Sequence, residues 1–229
     1  MERKVSWLKI IGLVIIIILI GFFFVPYSLI FAPALIESNA GNNNYFIKIS
    51  GLENLTASGE TIIMIPLPAY IDGEQVFSDN LMKRVNDEPD VYRLNFDWNL
   101  SVENTPYGNM MVLKSSESEL SDLNIRLAEF DRKSGPRLLM PVVDVPEDLT
   151  LEEFSKKEYG TYESLIYISG TFDPVESPVV FDLQYKGGGG KKFCFETDTW
   201  KSSSEKSILP GDTGFSNITV NYIIADSWY

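Results

Sequence analysis

The chain has 229 residues, with 19 basic and 32 acidic side chains, one cysteine and no histidine. A single cysteine excludes an internal disulfide framework, and the lack of histidine removes Cys/His zinc sites and the commonest general base. The first nine residues hold Arg3, Lys4 and Lys9 against Glu2, so the remainder carries 16 basic and 31 acidic residues, a net charge of −15. A domain of that sign repels nucleic acid and anionic headgroups, and nucleic acid is not an expected partner.

From Ile10 to Ile36 no residue is charged. Such a run predicts one transmembrane helix that meets the lipid bilayer through residues 10–31. Trp7 and Tyr27 flank it as interfacial aromatics, about 30 Å of helix apart. Basic residues precede the run and none follows closely, which places the N-terminus in the cytoplasm and the rest outside. Pro26 ends or kinks the helix near Val25. A cleaved signal peptide is the competing reading, with small residues at Ala32-Pro-Ala34 and Ser38-Asn-Ala40. The run is longer than an ordinary signal core and Pro33 sits inside the first candidate site, so an anchor is expected. The organisation read from this is a cytoplasmic stub and anchor over 1–36, a polar linker over 37–44, and an extracytoplasmic β-rich domain over 45–229.

Tyr45-Phe-Ile-Lys-Ile-Ser50 alternates as a strand, and Thr61–Ile65 is a second, stopped or put at an edge by Pro66 and Pro68. Asp72-Gly73 marks a turn, and Asp79–Asp90 holds a helical turn before Pro89. Tyr92–Leu100 alternates over nine positions, with Met110–Lys114 as its antiparallel partner across the turn Asn104–Gly108. Leu123–Leu127 and Arg137–Val145 read as further strands, and Glu147–Tyr162 as the longest candidate helix. Ser164–Ser169, Val179–Tyr185, Lys191–Glu196 and Ile218–Ile224 complete the strands, while Lys201–Ser207 reads as a solvated loop. Pairing Phe181 and Leu183 with Phe195 and Phe193 predicts an odd-length hairpin across Gly187–Gly190, with Cys194 on the opposite face beside Asp182 and Gln184. About ten short strands between turn signals predict an all-β fold, an antiparallel β-sandwich or related two-sheet fold behind one N-terminal helix.

The phrases Ile49-Ser-Gly-Leu-Glu-Asn54, Gly59-Glu-Thr-Ile-Ile-Met-Ile-Pro-Leu-Pro68, Thr105-Pro-Tyr-Gly108 and Gly187–Gly190 followed by Asp198-Thr-Trp200 resemble a family of single-span cell-surface proteins of methane-producing archaea. The resemblance implies an archaeal envelope location. It brings no activity and no functional residues with it.

No motif identifies a reaction. Ser203-Ser-Glu-Lys206 has the spacing of a serine nucleophile with a lysine base, but Ser6-Trp-Leu-Lys9 shows how easily that spacing arises. With 31 acids, carboxylate pairs at glycosidase spacing arise by chance. Asn86–Asp90 and Asp144–Asp148 are the densest acidic clusters and the places for a weak structural calcium; no other cofactor is expected. The glycine run lacks the Gly-Lys-Ser/Thr ending of a phosphate loop. Trp98 falls on the apolar face of its strand, while Trp200 and Trp228 could offer flat rings to sugars. Asn54, Asn99 and Asn217 head Asn-x-Ser/Thr acceptor sequences, with Asn54 in a loop and the best placed. The reading is a non-enzymatic, membrane-anchored domain for adhesion, envelope structure or binding of an extracytoplasmic protein or glycan. The alternative is an extracytoplasmic hydrolase using carboxylates or a Ser–Lys pair. An exposed apolar or aromatic patch supports the first reading; a concave pocket of converging acids, or of serine and lysine, supports the second.

Overall fold

The computed structural model describes residues 41–92, 97–131, 135–146, 149–188, 191–192, 195–196 and 199–225. The apolar run, Trp7 and Tyr27 lie outside the described residues. Among those described, no helix is long and apolar enough to cross a membrane.

The fold is mostly antiparallel β. In chain order it contains β1 (Gly41–Ser50), β2 (Thr56–Ala57), β3 (Thr61–Tyr70), α1 (Asp79–Asp87), α2 (Pro89–Tyr92), β4 (Asn99–Thr105), β5 (Gly108–Ser115), β6 (Leu123–Asp131), β7 (Arg137–Met140) and β8 (Val142–Asp144). There follow α3 (Leu151–Phe154), β9 (Tyr159–Ser169), β10 (Phe172–Asp173), β11 (Val179–Gly188), β12 (Lys191–Lys192), β13 (Phe195–Glu196), β14 (Thr199–Ile208) and β15 (Gly214–Ala225). Instead of two sheets, one hydrogen-bonded path runs β4-β5-β3-β9-β15-β14-β11-β1-β6, with β7 on β3 and β8 on β9. β10 pairs with β2 and β12 with β13.

That sheet curls around one core. Tyr45 on β1 donates its hydroxyl to the Pro66 carbonyl on β3 at 2.8 Å, although five strand pairings separate β1 from β3 along the sheet. One inner row runs Leu127–Tyr45–Tyr185–Ser202–Tyr222–Gly160 across six strands. Ser202 sits between two tyrosines, so the large rings fit because their shared neighbour is small. The other hydroxyls tie the inside together: Tyr185 donates to Asn43 Oδ1 at 2.8 Å and Tyr222 to the Ser155 carbonyl at 3.2 Å, while Tyr162 accepts from the Leu139 amide at 2.7 Å. The two edge strands meet one helix. Asn86 of α1 bonds both backbone groups of Leu100 on β4, and Ser78, the N-cap of α1, donates its amide and hydroxyl to Glu129 on β6 at 2.7 and 2.6 Å. Leu81, Met82 and Val85 give α1 its buried face.

Several sequence expectations give way to this arrangement. β1 begins at Gly41, inside the expected linker, because Asn42–Asn44 continue the ladder to β6 and Asn43 turns inward to bond Tyr185. β3 runs through Pro66 and Pro68. Both prolines turn their missing N–H to the side that β9 has left, where the Pro66 carbonyl takes Tyr45 and the Pro68 carbonyl takes the Val76 amide. β7 pairs with the end of β3, and β8 with β9. The strand expected from Tyr92 begins at Asn99; Tyr92 ends α2, its hydroxyl held by Arg84. The helix expected over 147–162 shrinks to α3, started by a Thr150–Glu153 capping box, and Tyr159 already belongs to β9.

The largest departure is at the glycines. β11 pairs not with residues 191–196 but with β14, from Val179↔Ile208 to Gly188↔Thr199. Lys191–Lys192 folds instead onto Phe195–Glu196. Phe193 and Cys194, on which the pairing and thiol expectations rest, lie outside the described residues. The expected loop Lys201–Ser207 is the body of β14, a strand whose inward residues include Ser202 and Ser204.

Two outcomes follow. A Cβ at Gly160 would come 2.6 Å from Phe154, whose fully buried ring stands 5.7 Å from both Tyr162 and Tyr222. Gly160→Ala is therefore expected to cost about 2 kcal/mol through overpacking, read as a lowered urea midpoint at unchanged slope; an unchanged midpoint would show the ring free to move. Burial raises the Tyr45 and Tyr162 hydroxyls above the ordinary 10.0. The unfolded chain loses these protons first, so their contribution is fully present below pH 10 and is lost as pH rises through the folded values. Absorbance of tyrosinate should therefore rise in two stages, the second coinciding with loss of the β-sheet circular dichroism. Complete ionisation before unfolding would contradict the burial argument.

Candidate functional site

An exposed aromatic cluster lies on the outer face. Phe215 on β15 and Tyr167 on β9 are cross-strand partners with ring centroids 4.8 Å apart. Tyr107 meets Phe215 edge-on at 4.9 Å. Tyr107 stands at the tip of the β4–β5 hairpin, where Thr105 Oγ1 accepts from its amide at 3.2 Å and donates to the Gly108 carbonyl at 2.7 Å. Gly108 has a φ of +120°, a conformation that favours glycine after the Pro-Tyr turn. In a flat sheet three strand spacings would separate β5 from β15, about 14 Å of backbone. The contact therefore means that the hairpin leans back over the outer face. That accounts for Met110 and Val112, outward residues of β5 that are fully buried. Tyr107 keeps 51% of its surface exposed and Phe215 keeps 39%. These rings form a half-wet aromatic ledge of the kind that marks a contact surface.

Beside the hairpin lies a polar depression of about 370 Å³ lined by Glu60, Asn99, Ser101, Lys114, Ser115 and Ser116. The Lys114 ammonium bonds Glu103 at 2.6 Å, and that hydrogen bond raises its pKa. The depression is lined by hydroxyls, an amide and one cation already held by a carboxylate, which suits hydrogen bonding to a polar ligand.

The residues singled out in the sequence fall apart in space. Ser203 and Lys206 are on opposite faces of β14, Ser203 paired with Gln184 outside and Lys206 with Phe181, whose ring points into the core. Among the described residues, no three acidic side chains converge as a metal site. Asp144 is exposed on β8, and Asp87 and Glu88 are exposed at the end of α1. Trp98 and Trp200 are buried, and Trp228 lies outside the described residues. Trp200 is drawn inward by Arg137, whose guanidinium carbon lies 5.1 Å from its ring and 4.9 Å from that of Tyr70. The aromatics of this outer cluster are thus two tyrosines and a phenylalanine that sequence reasoning passed over. The signal was present in an aromatic at a Pro-x-Gly turn and in Leu165-Ile-Tyr-Ile168, a strand apolar on both faces.

Comparison with known proteins finds no matching family model, no similar curated protein and no similar solved structure.

The three glycan acceptors differ in setting. Asn54 is exposed at the end of a short 3-10 turn and Thr56 is exposed too. Asn99 lines the polar depression. Asn217 is in mid-strand on β15, and the Thr219 hydroxyl of its acceptor sequence donates to Glu163 at 2.8 Å. Glycan is therefore expected on Asn54 first, and intact-mass analysis of natively expressed protein and of Asn54→Gln reads it. Equal masses for the two beyond the one-residue difference would remove the assignment.

Proposed function

We propose that the chain is a non-enzymatic, membrane-anchored domain displayed outside the cytoplasm, where it binds an envelope protein or glycan. The observation that carries the binding role is the aromatic ledge of Tyr107, Tyr167 and Phe215, partly exposed on the outer face. Flat, partly exposed rings suit a sugar ring or an extended polypeptide. The anchoring role is supported by the uncharged run Ile10–Ile36, preceded by Arg3, Lys4 and Lys9 and followed within five residues by β1. An archaeal envelope location follows from the family resemblance of the soluble part.

Purified protein should bind isolated envelope material from the native cell. Tyr107→Ala combined with Phe215→Ala should weaken that binding at least about tenfold while leaving the circular dichroism unchanged, because both rings sit outside the core. Retained binding by the double variant would remove the ledge from the function. Protease applied to intact cells should degrade the domain; protection of the domain with cleavage of an N-terminal tag would reverse the topology.

A further inference from the structure

The outer face of the curled sheet changes character along its strands. One outward row near the start of β1 runs Ala128–Asn44–Lys186–Lys201–Ile223–Tyr159. The next runs Arg126–Phe46–Gln184–Ser203–Asn221–Thr161, with Arg126 stacked 5.1 Å over Phe46. Neither row contains an acid, in a domain whose net charge is −15. Within the ladder the first acids are Asp182, Glu205 and Glu163 of the third row, while Glu158 stands exposed just before Tyr159. The first two rows also leave large apolar side chains in water: Tyr159 is 74% exposed, Ile223 49% and Phe46 41%. The β12–β13 hairpin, which joins β11 to β14 at this same end, adds Lys191 and Lys192, and with them Glu196, to the sequence there.

We propose that this end of the sheet docks on the lipid bilayer that the chain's own N-terminal run enters, a proposal that rests on the anchored reading above. Lys186 and Lys201 face anionic headgroups, and Tyr159, Ile223 and Phe46 enter the interfacial layer. Two observations select the bilayer as occupant. The first is reach: only seven residues lie between Ile36, the end of the uncharged run, and Asn44 in this row, so the eight steps of chain span at most about 28 Å. The second is complementarity. Exposed tyrosine and aliphatic side chains interleaved with lysines match an interface where the rings sit at headgroup level and lysine stems lie along apolar surface. The acids of the third row and beyond are repelled by the same headgroups, so the domain docks end-on and not on its side.

The full chain, reconstituted in phosphatidylcholine vesicles with and without phosphatidylglycerol, tests this by lysine acetylation read residue by residue in a mass spectrometer. Lys186 and Lys201 are expected to react more slowly in the anionic vesicles, by about fivefold each, the shift that one lysine at an anionic surface produces. High salt should restore them, and Lys48 and Lys206 should be unchanged throughout. A chain that stays in the vesicles through alkaline carbonate washing but shows Lys186 and Lys201 reacting like Lys48 overturns the docking alone. A chain that washes out overturns the anchored reading, and the docking with it.

Discussion

The buried tyrosine hydroxyls are the constraint on which the curl of the sheet depends. A sheet of this length has many ways to bend, and apolar contact alone is indifferent among them. A hydroxyl taken out of water is not indifferent, because leaving it unbonded costs about 1 to 3 kcal/mol. Tyr45 finds its partner on β3, Tyr162 on β7, Tyr222 in the loop after α3 and Tyr185 on β1. The Tyr45 bond is satisfied only when opposite walls stand at one distance, and the others fix neighbouring elements around it, so together they select a single curvature. Arg137 adds to this. Its Nη2 donates to the Tyr70 hydroxyl at 3.0 Å while its guanidinium lies between the rings of Tyr70 and Trp200, linking β3, β7 and β14 inside the core. A side chain of that charge with 1% of its surface exposed is a structural element here, since nothing in solution can reach it.

How much of this was legible in the sequence follows from what each strand must carry. β4 and β5 were readable at their turn because Thr105-Pro-Tyr-Gly108 states its own geometry. β1, β6 and β11 were readable because they alternate apolar residues onto one buried face. β14 was not, because its pattern is set by its neighbours. Ser202 and Ser204 turn inward beside Tyr185, Tyr222 and Leu183, so the strand is small where a lone strand would be apolar, and its outward Lys201, Ser203 and Glu205 are polar as well. Periodicity in one segment cannot reveal a serine chosen to make room for a tyrosine seventeen or twenty residues away. The prolines of β3 misled for a related reason, since their cost vanishes only where a neighbouring strand has already departed.

The aromatic ledge was hidden by the same logic in reverse. Tyr107, Tyr167 and Phe215 come from three strand regions far apart in sequence, and each alone reads as an ordinary strand or turn residue. Only the backward lean of the β4–β5 hairpin brings Tyr107 onto Phe215, and that lean depends on Met110 and Val112 being apolar on the outward side of β5. The tryptophans had the stronger claim in the sequence. Trp98 and Trp200 went inside with the core, Trp200 with a cation against its face.

The two outer patches are related through the strands they share. Tyr159 and Tyr167 are both outward on β9, eight residues apart, which is about 27 Å along an extended strand. Ile223 and Phe215 stand in the same relation on β15. A domain that rested its Lys186–Lys201–Ile223–Tyr159 end on a bilayer would therefore hold the Tyr107–Tyr167–Phe215 ledge at the far end of the same strands, clear of the headgroups and turned toward the cell exterior. Antiparallel strands make such a spacer stiff, because their hydrogen bonds run across the axis along which the two patches are separated. The acidic side chains between them, Asp182, Glu205 and Glu163 among others, keep the sides of the domain off an anionic surface and favour the upright pose. Strand length, charge order and the placing of exposed rings thus bear on one geometry, in which the membrane end and the partner end of the domain are opposite ends of the same sheet.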